Sequence, residues 1–191
     1  MSQKKDNTFV FEGRCTYNIV KTIFNMPHST FHIRELARKS NCSTTAVGTA
    51  VTELKIFDLI KIEESEVTKN IKANLESKNY GYYKLVFNLY RLGLHSFKEK
   101  LVNFFKNPEC IALFGSFARG EDVEQSDIDV LIITSNKTPE SSEFNIYIKQ
   151  IEKEFERKLN LHILKSLKNS EDAFRNSVAN GIVLSGYLKV V

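Results

Sequence analysis

Between Leu113 and Thr134 the chain reads LFGSFARGEDVEQSDIDVLIIT. An apolar run ends in a Gly-Ser turn, a polar loop follows, and a second apolar run is entered through Asp127 and Asp129. Each apolar run is short and rich in branched residues, which predicts a strand, while the residues after the turn begin a helix. A strand that ends at Phe114 and passes through Gly115 and Ser116 into a helical start gathers backbone amides and a hydroxyl around one concavity. Such a concavity suits phosphate oxygens. Gly115 permits close approach because it has no side chain, Ser116 can donate one hydrogen bond, and Arg119 lies one helical turn further on. Arg119 has an alternative role in a surface ion pair with Glu121 or Asp122.

Side chains alternate across a strand, so Asp127 and Asp129 point the same way while Ile128 and Val130 point into the core. Two carboxylates whose α-carbons are about 7 Å apart repel unless a cation lies between them. Magnesium takes oxygen ligands of this kind and completes its shell with water and substrate phosphates, so the expected occupant is a metal–nucleotide complex. The plainer alternative is a pair of strand-edge aspartates that oppose aggregation.

The segment GSFARGEDVEQSDIDVLI resembles the signature of the DNA polymerase beta type nucleotidyltransferase superfamily in its minimal form. Gly115, Ser116, Gly120, Ser126, Asp127 and Asp129 carry the resemblance. It implies a mixed sheet flanked by helices over residues 107–191. It also implies two Mg2+ ions on the aspartates and transfer of a nucleoside monophosphate from ATP or another nucleoside triphosphate, with loss of pyrophosphate. Gly115, Ser116, Arg119, Gly120 and Ser126 would then meet the nucleotide. Active members carry a third carboxylate on the strand after the long helix. Here that strand is KLNLHILK, with Asn160 at the matching position and His162 next on the same face. Asn160 offers a neutral oxygen and His162 a base near neutral pH, in place of an acid.

The remainder of the chain predicts an α+β protein of two domains. Apolar residues at helical spacing predict a helix over 16–26, ended by Pro27, then helices over 33–40 and 44–57 with Ser43 as the cap of the latter. LIKIEE and NIKANLE read as a hairpin on either side of a polar interruption. Residues 15–77 thus resemble a winged helix-turn-helix domain. Helices over 80–94 and 96–106 form a connector. In the first, Tyr83, Val86, Phe87 and Tyr90 make the apolar side, Gly93 to His95 turn the chain, and Ser96 with Glu99 has capping-box spacing. Beyond the signature, helices over 141–158 and 171–178 alternate with the strands LNLHIL and GIVLSG. The divisions are 1–78, 79–106 and 107–191.

Charge separates the halves. Residues 1–106 carry 17 Lys and Arg against 10 Asp and Glu, and residues 107–191 carry 10 against 13. A basic first half suits a polyanion and an acidic second half suits cations. Thr44, Thr45, Thr49, Thr52 and Lys55 are the candidates to face double-stranded DNA from the second helix of the motif. Arg34, Arg38, Lys39, Lys61, Lys69 and Lys72 are the candidates for its phosphates. No arginine stands in the first turn of that helix, where guanine would be read. Cys15, Cys42 and Cys110 have neither zinc nor disulfide spacing. The first residues lack a secretory signal and no apolar stretch is long enough to span a bilayer, which predicts a cytoplasmic protein with no membrane partner. Three functions stay open: a magnesium-dependent transferase, a nucleotide-sensing DNA-binding regulator without turnover, and a transferase whose first domain docks a protein. A homodimer would suit symmetric half-sites.

Overall fold

The computed structural model describes residues 13–64 and 69–189, which divide after Gly81 into two units. The first holds helices α1 (Arg14–Asn25), α2 (Ile33–Ser40) and α3 (Thr44–Ile56), with strands β1 (Thr30–His32), β2 (Ile60–Glu64) and β3 (Lys69–Ala73). The strands form an antiparallel sheet in the order β1-β3-β2, with Phe31 and Ile62 both opposite Ile71. β1 is an addition to the expected hairpin. With three residues it is too short for alternation to reveal. The polar interruption of the hairpin lies outside the described residues.

The helices pack through Ile19, Val20, Ile23, Phe24, Leu36, Val47, Ala50, Val51 and Leu54, all buried. α2 ends because Asn41 adopts the left-handed conformation at φ 53°, and Ser43 then starts α3 by accepting from the Ala46 amide at 3.1 Å.

The second unit holds most of α4 (Lys78–Leu94), then α5 (Phe97–Phe104), β4 (Cys110–Phe114), a 3-10 turn (Phe117–Arg119), β5 (Ile128–Ile133), α6 (Ser142–Phe155), β6 (Leu159–Leu164), α7 (Asp172–Ala179) and β7 (Ile182–Gly186). Its sheet runs β6-β5-β4-β7 and is mixed. β4 pairs antiparallel with β5 and β7, whereas β5 and β6 are parallel, joined by the crossover helix α6. Period-two alternation divides the strands between two cores. Ile111, Leu113, Ile128, Val130 and Ile132 pack with Phe97, Leu101, Phe144, Ile151 and Phe155. On the opposite face Cys110, Ala112, Phe114, Leu131 and Ile133 pack with Leu167 and Val178. β4 is therefore buried throughout.

Two sequence expectations fail in α4 and α5. Val86 and Tyr90 are 44% and 39% exposed, and Tyr82 is 73% exposed, while Lys84, Asn88 and Arg91 are buried beside Phe87. Phe87 is buried as expected and Tyr83 is half-buried, but the inward face is rotated toward Lys84, Asn88 and Arg91 because these polar side chains reach partners far along the chain. Ser96, expected as a cap, lies at φ 50° and its hydroxyl caps nothing, since a side-chain cap needs an extended backbone. The turn falls at His95 and Ser96, with Gly93 still helical.

The buried polar groups of α4 hold the loop between the 3-10 turn and β5. Asp122, 1% exposed, accepts from Asn88 Nδ2 at 2.9 Å, and its Oδ2 lies 3.4 Å from Lys84 Nζ and 3.0 Å from Arg157 Nη2. The Lys84 ammonium also donates to the Asp122 carbonyl, Arg157 to the Val123 carbonyl, and Asn88 to the Phe117 carbonyl at 3.3 Å. Burial pushes the Lys84 ammonium below its usual range, and Asp122 opposes that push. α6 ends at Glu156 in the left-handed conformation, immediately before Arg157. Arg91 fills the next position along α4, donating to the Glu154 carbonyl at 2.6 Å with its guanidinium 4.0 Å from the Phe155 ring centre.

Asp122→Ala leaves two buried cations without their counter-charge and is expected to cost about 3–5 kcal/mol in urea unfolding. Glu121→Ala, which breaks an exposed pair one residue earlier, is expected to stay within about 0.5 kcal/mol.

Candidate functional site

The Gly-Ser turn and the start of β5 meet because Phe114 pairs with Asp129 across the antiparallel ladder. Gly115 lies at φ 73°, a conformation that favours glycine. A Cβ there would stand 2.5 Å from Asp129 Oδ2, so the missing side chain is the space that the carboxylate occupies. Gly120, at φ 68°, closes the 3-10 turn. Ser116 is half-buried, and its carbonyl accepts from the Arg119 and Glu121 amides at 3.1 and 3.0 Å. Arg119 takes its alternative role, donating from Nε to Glu121 Oε2 at 2.7 Å on the surface. The Ser126 hydroxyl accepts from the Val123 amide at 2.9 Å and so closes the loop before the aspartates.

Asp127 is exposed immediately before β5, and Asp129 is half-buried within it, separated by the fully buried Ile128. In the parallel ladder Asp129 stands opposite Asn160. Asn160 Nδ2 donates to Asp129 Oδ1 at 3.0 Å. The same oxygen is 3.7 Å from His162 Nε2, a buried atom with no hydrogen bond among the described residues. The His162 ring sits between Phe114 and Phe174, with centroids 5.1 and 5.2 Å away. Phe174, on α7, was not singled out by sequence reasoning, which lacked any local signal joining it to β6.

This donor set fits one magnesium ion carried with a triphosphate, since such an ion needs only one or two carboxylates besides phosphate and water. Asp127 and Asp129 would supply them, and the space over Gly115 leaves Asp129 Oδ2 clear of hydrogen bonds among the described residues. A second ion held by three carboxylates does not fit. The third position is an amide whose nitrogen faces Asp129, and no group of three His, Cys, Asp or Glu able to hold a metal occurs among the described residues.

In the first unit Arg34, Arg38, Lys39, Thr44, Thr45, Thr49, Thr52 and Lys55 are all exposed on α2 and α3. The lysines of β2 and β3 differ in kind, because each is paired. Lys61 lies 2.5 Å from Glu76, Lys69 is 3.0 Å from Glu64, and Lys72 bonds Glu63 across the strand pair. Lys61 holds the Glu76 carboxyl below the usual range. Glu63 and Glu64 in the facing strand are cross-strand partners that the sequence reading of these lysines as candidates for phosphates did not include. Among the described residues no helix is long and apolar enough to cross a membrane.

Residues 98–187, just under half of the chain, match the family model described as polymerase beta, nucleotidyltransferase. A protein of Methanocaldococcus jannaschii named as a putative protein adenylyltransferase is 45% identical over 62 residues, 32% of this chain and 62% of that protein. The match thus spans about three fifths of that relative's length. No solved structure matches the chain. Over these residues the chain is similar to nucleotidyltransferases.

Proposed function

We propose that the second unit binds a magnesium–nucleoside triphosphate and transfers its nucleoside monophosphate, AMP from ATP, to an acceptor hydroxyl. The observation that carries this reading is the seat of Asp129 over Gly115, beside Ser116 and one residue from Asp127. Asp127 and Asp129 would hold a magnesium ion carried with the triphosphate, and the Gly-Ser turn would receive the phosphate oxygens. Such an ion would supply positive charge against the departing pyrophosphate, and positioning would be the protein's own task. The acceptor oxygen bonds to the α-phosphorus as the bond to pyrophosphate breaks. His162, whose Nε2 lies 3.7 Å from Asp129 Oδ1, would take the acceptor's proton. The protein adenylyltransferase name of the M. jannaschii relative supports adenine as the base and a protein as the acceptor.

Asn160 supports a second reading, in which the pocket binds the nucleotide without turnover and reports it to a DNA-binding module. We read the first unit as that module in either case, a winged helix-turn-helix with α3 as the recognition helix. Arg34, Arg38, Lys39 and Lys55 are its phosphate contacts. A protein docked on the same unit ranks below duplex DNA, because these four exposed cations have no ion-pair partner among the described residues.

Calorimetric titration of ATP with magnesium is expected to show binding that Asp129→Asn and Gly115→Ala each weaken at least tenfold, the latter because a Cβ displaces Asp129. Magnesium-dependent label transfer from ATP then separates the two readings. Transfer abolished by Asp127→Asn supports the enzyme, and binding without transfer to any acceptor supports the sensor. Absence of ATP binding overturns both.

Asn160→Asp sets two carboxylates in direct contact. Its melting temperature should fall below that of the native chain without divalent ions and recover with magnesium, and a magnesium-independent melt would refute the site. Duplex binding measured against salt should lose about one unit of log–log slope for each phosphate contact removed, as in Arg38→Ala. Lys72→Ala, at a lysine already paired with Glu63, should leave the slope nearly unchanged.

A further inference from the structure

We propose that the outward face of α3 reads the C5-methyl groups of thymine in the major groove of A·T-rich duplex DNA. This rests on the DNA-binding reading of the first unit and deepens it by naming the sequence class. Thr45, Thr49, Thr52 and Ile56 follow one another at intervals of four, three and four residues, so they form a single stripe along the helix. All four are exposed, Ile56 at 73%, while Val47, Ala50, Val51 and Leu54 face the core.

Two of the three threonine hydroxyls on this stripe donate within the helix. Thr49 Oγ1 donates to the Thr45 carbonyl at 3.3 Å, and Thr52 Oγ1 donates to the Gly48 carbonyl at 2.9 Å. In these two residues the hydroxyl proton turns back to the backbone, which leaves the oxygen as an acceptor and the methyl as the apolar group to offer a partner. The stripe carries no arginine, lysine, asparagine or glutamine, the side chains that pair in bidentate fashion with guanine or adenine. Of the major-groove contacts, apolar contact with the thymine methyl is the one that threonine methyls and Ile56 can make. Gly48, beside the stripe, has open space around it and lets a groove wall approach α3 closely.

Charge supports a nucleic acid as the occupant. Arg34, Arg38 and Lys39 on α2 and Lys55 on α3 are exposed and have no ion pair among the described residues, so they suit phosphates on either side of the groove. The paired lysines of β2 and β3 leave those contacts to the two helices.

The test is fluorescence anisotropy of the full chain, at low salt, with A·T-rich duplexes of one sequence made with thymidine or with deoxyuridine. A G·C-rich duplex of equal length is the reference. The deoxyuridine duplex should bind more weakly by about fourfold for each thymine methyl that the stripe covers. The double variant Thr49→Ser, Thr52→Ser keeps both hydroxyls and should shrink the difference, because only Thr45 and Ile56 then still offer methyls. Its counterpart Thr49→Val, Thr52→Val keeps methyls and should retain it. Equal affinity for thymidine and deoxyuridine duplexes overturns methyl readout while leaving duplex binding in place. Failure to bind any duplex overturns both and turns attention to a protein partner.

Discussion

The carboxylate of Asp122, buried between Lys84 and Arg157 and bonded by Asn88, is the contact on which the geometry of the second unit turns. The loop after the 3-10 turn has to bury the carbonyls of Phe117, Asp122 and Val123, and a buried carbonyl without a donor is costly. Long polar side chains from α4 and from the end of α6 reach these carbonyls, and Asp122 offsets the charge that Lys84 and Arg157 bring. The loop is thereby tied to two helices before β5 begins. Asp127 and Asp129 inherit that fixed starting point, and the Ser126 hydroxyl bond to Val123 tightens the last step before them.

The parts of the fold that were legible in the sequence are those set by local spacing. The bounds of α2 and β6 coincide with the expected ones, and the Ser43 cap follows from residues a few positions apart. Gly115 and Asp129 follow from the turn and from strand alternation, whereas Asn160 is joined to them by the family resemblance. The rotation of α4 was illegible for the opposite reason. Lys84 and Asn88 look like surface residues until Asp122, 38 and 34 positions away, is known to be buried with them. A helical pattern states which residues share a face, but a distant counter-charge decides which face turns inward. The aromatic seat of His162 was hidden in the same way, since Phe174 joins it only through the tertiary fold.

Pairing also changes how the charge of the first half is read. The excess of cations in the sequence includes Lys61, Lys69 and Lys72, whose charges are met by Glu76, Glu64 and Glu63. Exposed pairs of this kind add little to stability. Their effect is on the surface potential, which they flatten over β2 and β3 and leave positive on α2 and at the end of α3. Under the proposed DNA-binding reading, affinity then comes from a few phosphate contacts beside the helix pair, and an uncharged recognition face supplies whatever selectivity the unit has.

Asn160 bears on the balance between binding and turnover in a way that a missing carboxylate alone would not. Its amide nitrogen donates to Asp129 Oδ1, so it holds that carboxylate in place without a cation, whereas an acid there would repel it. The site is thus arranged before any ligand arrives, and less negative charge opposes an incoming triphosphate. An amide also holds a hard divalent ion less well than a carboxylate, which weakens the pull on a second ion at the acceptor. Under the proposed reading, Asn160 therefore favours capture of a nucleotide with its own magnesium and leaves activation of the acceptor to His162, whose Nε2 lies 3.7 Å from the same Asp129 oxygen. In the proposed reaction, the rate depends on how well that imidazole can do the work of an ion.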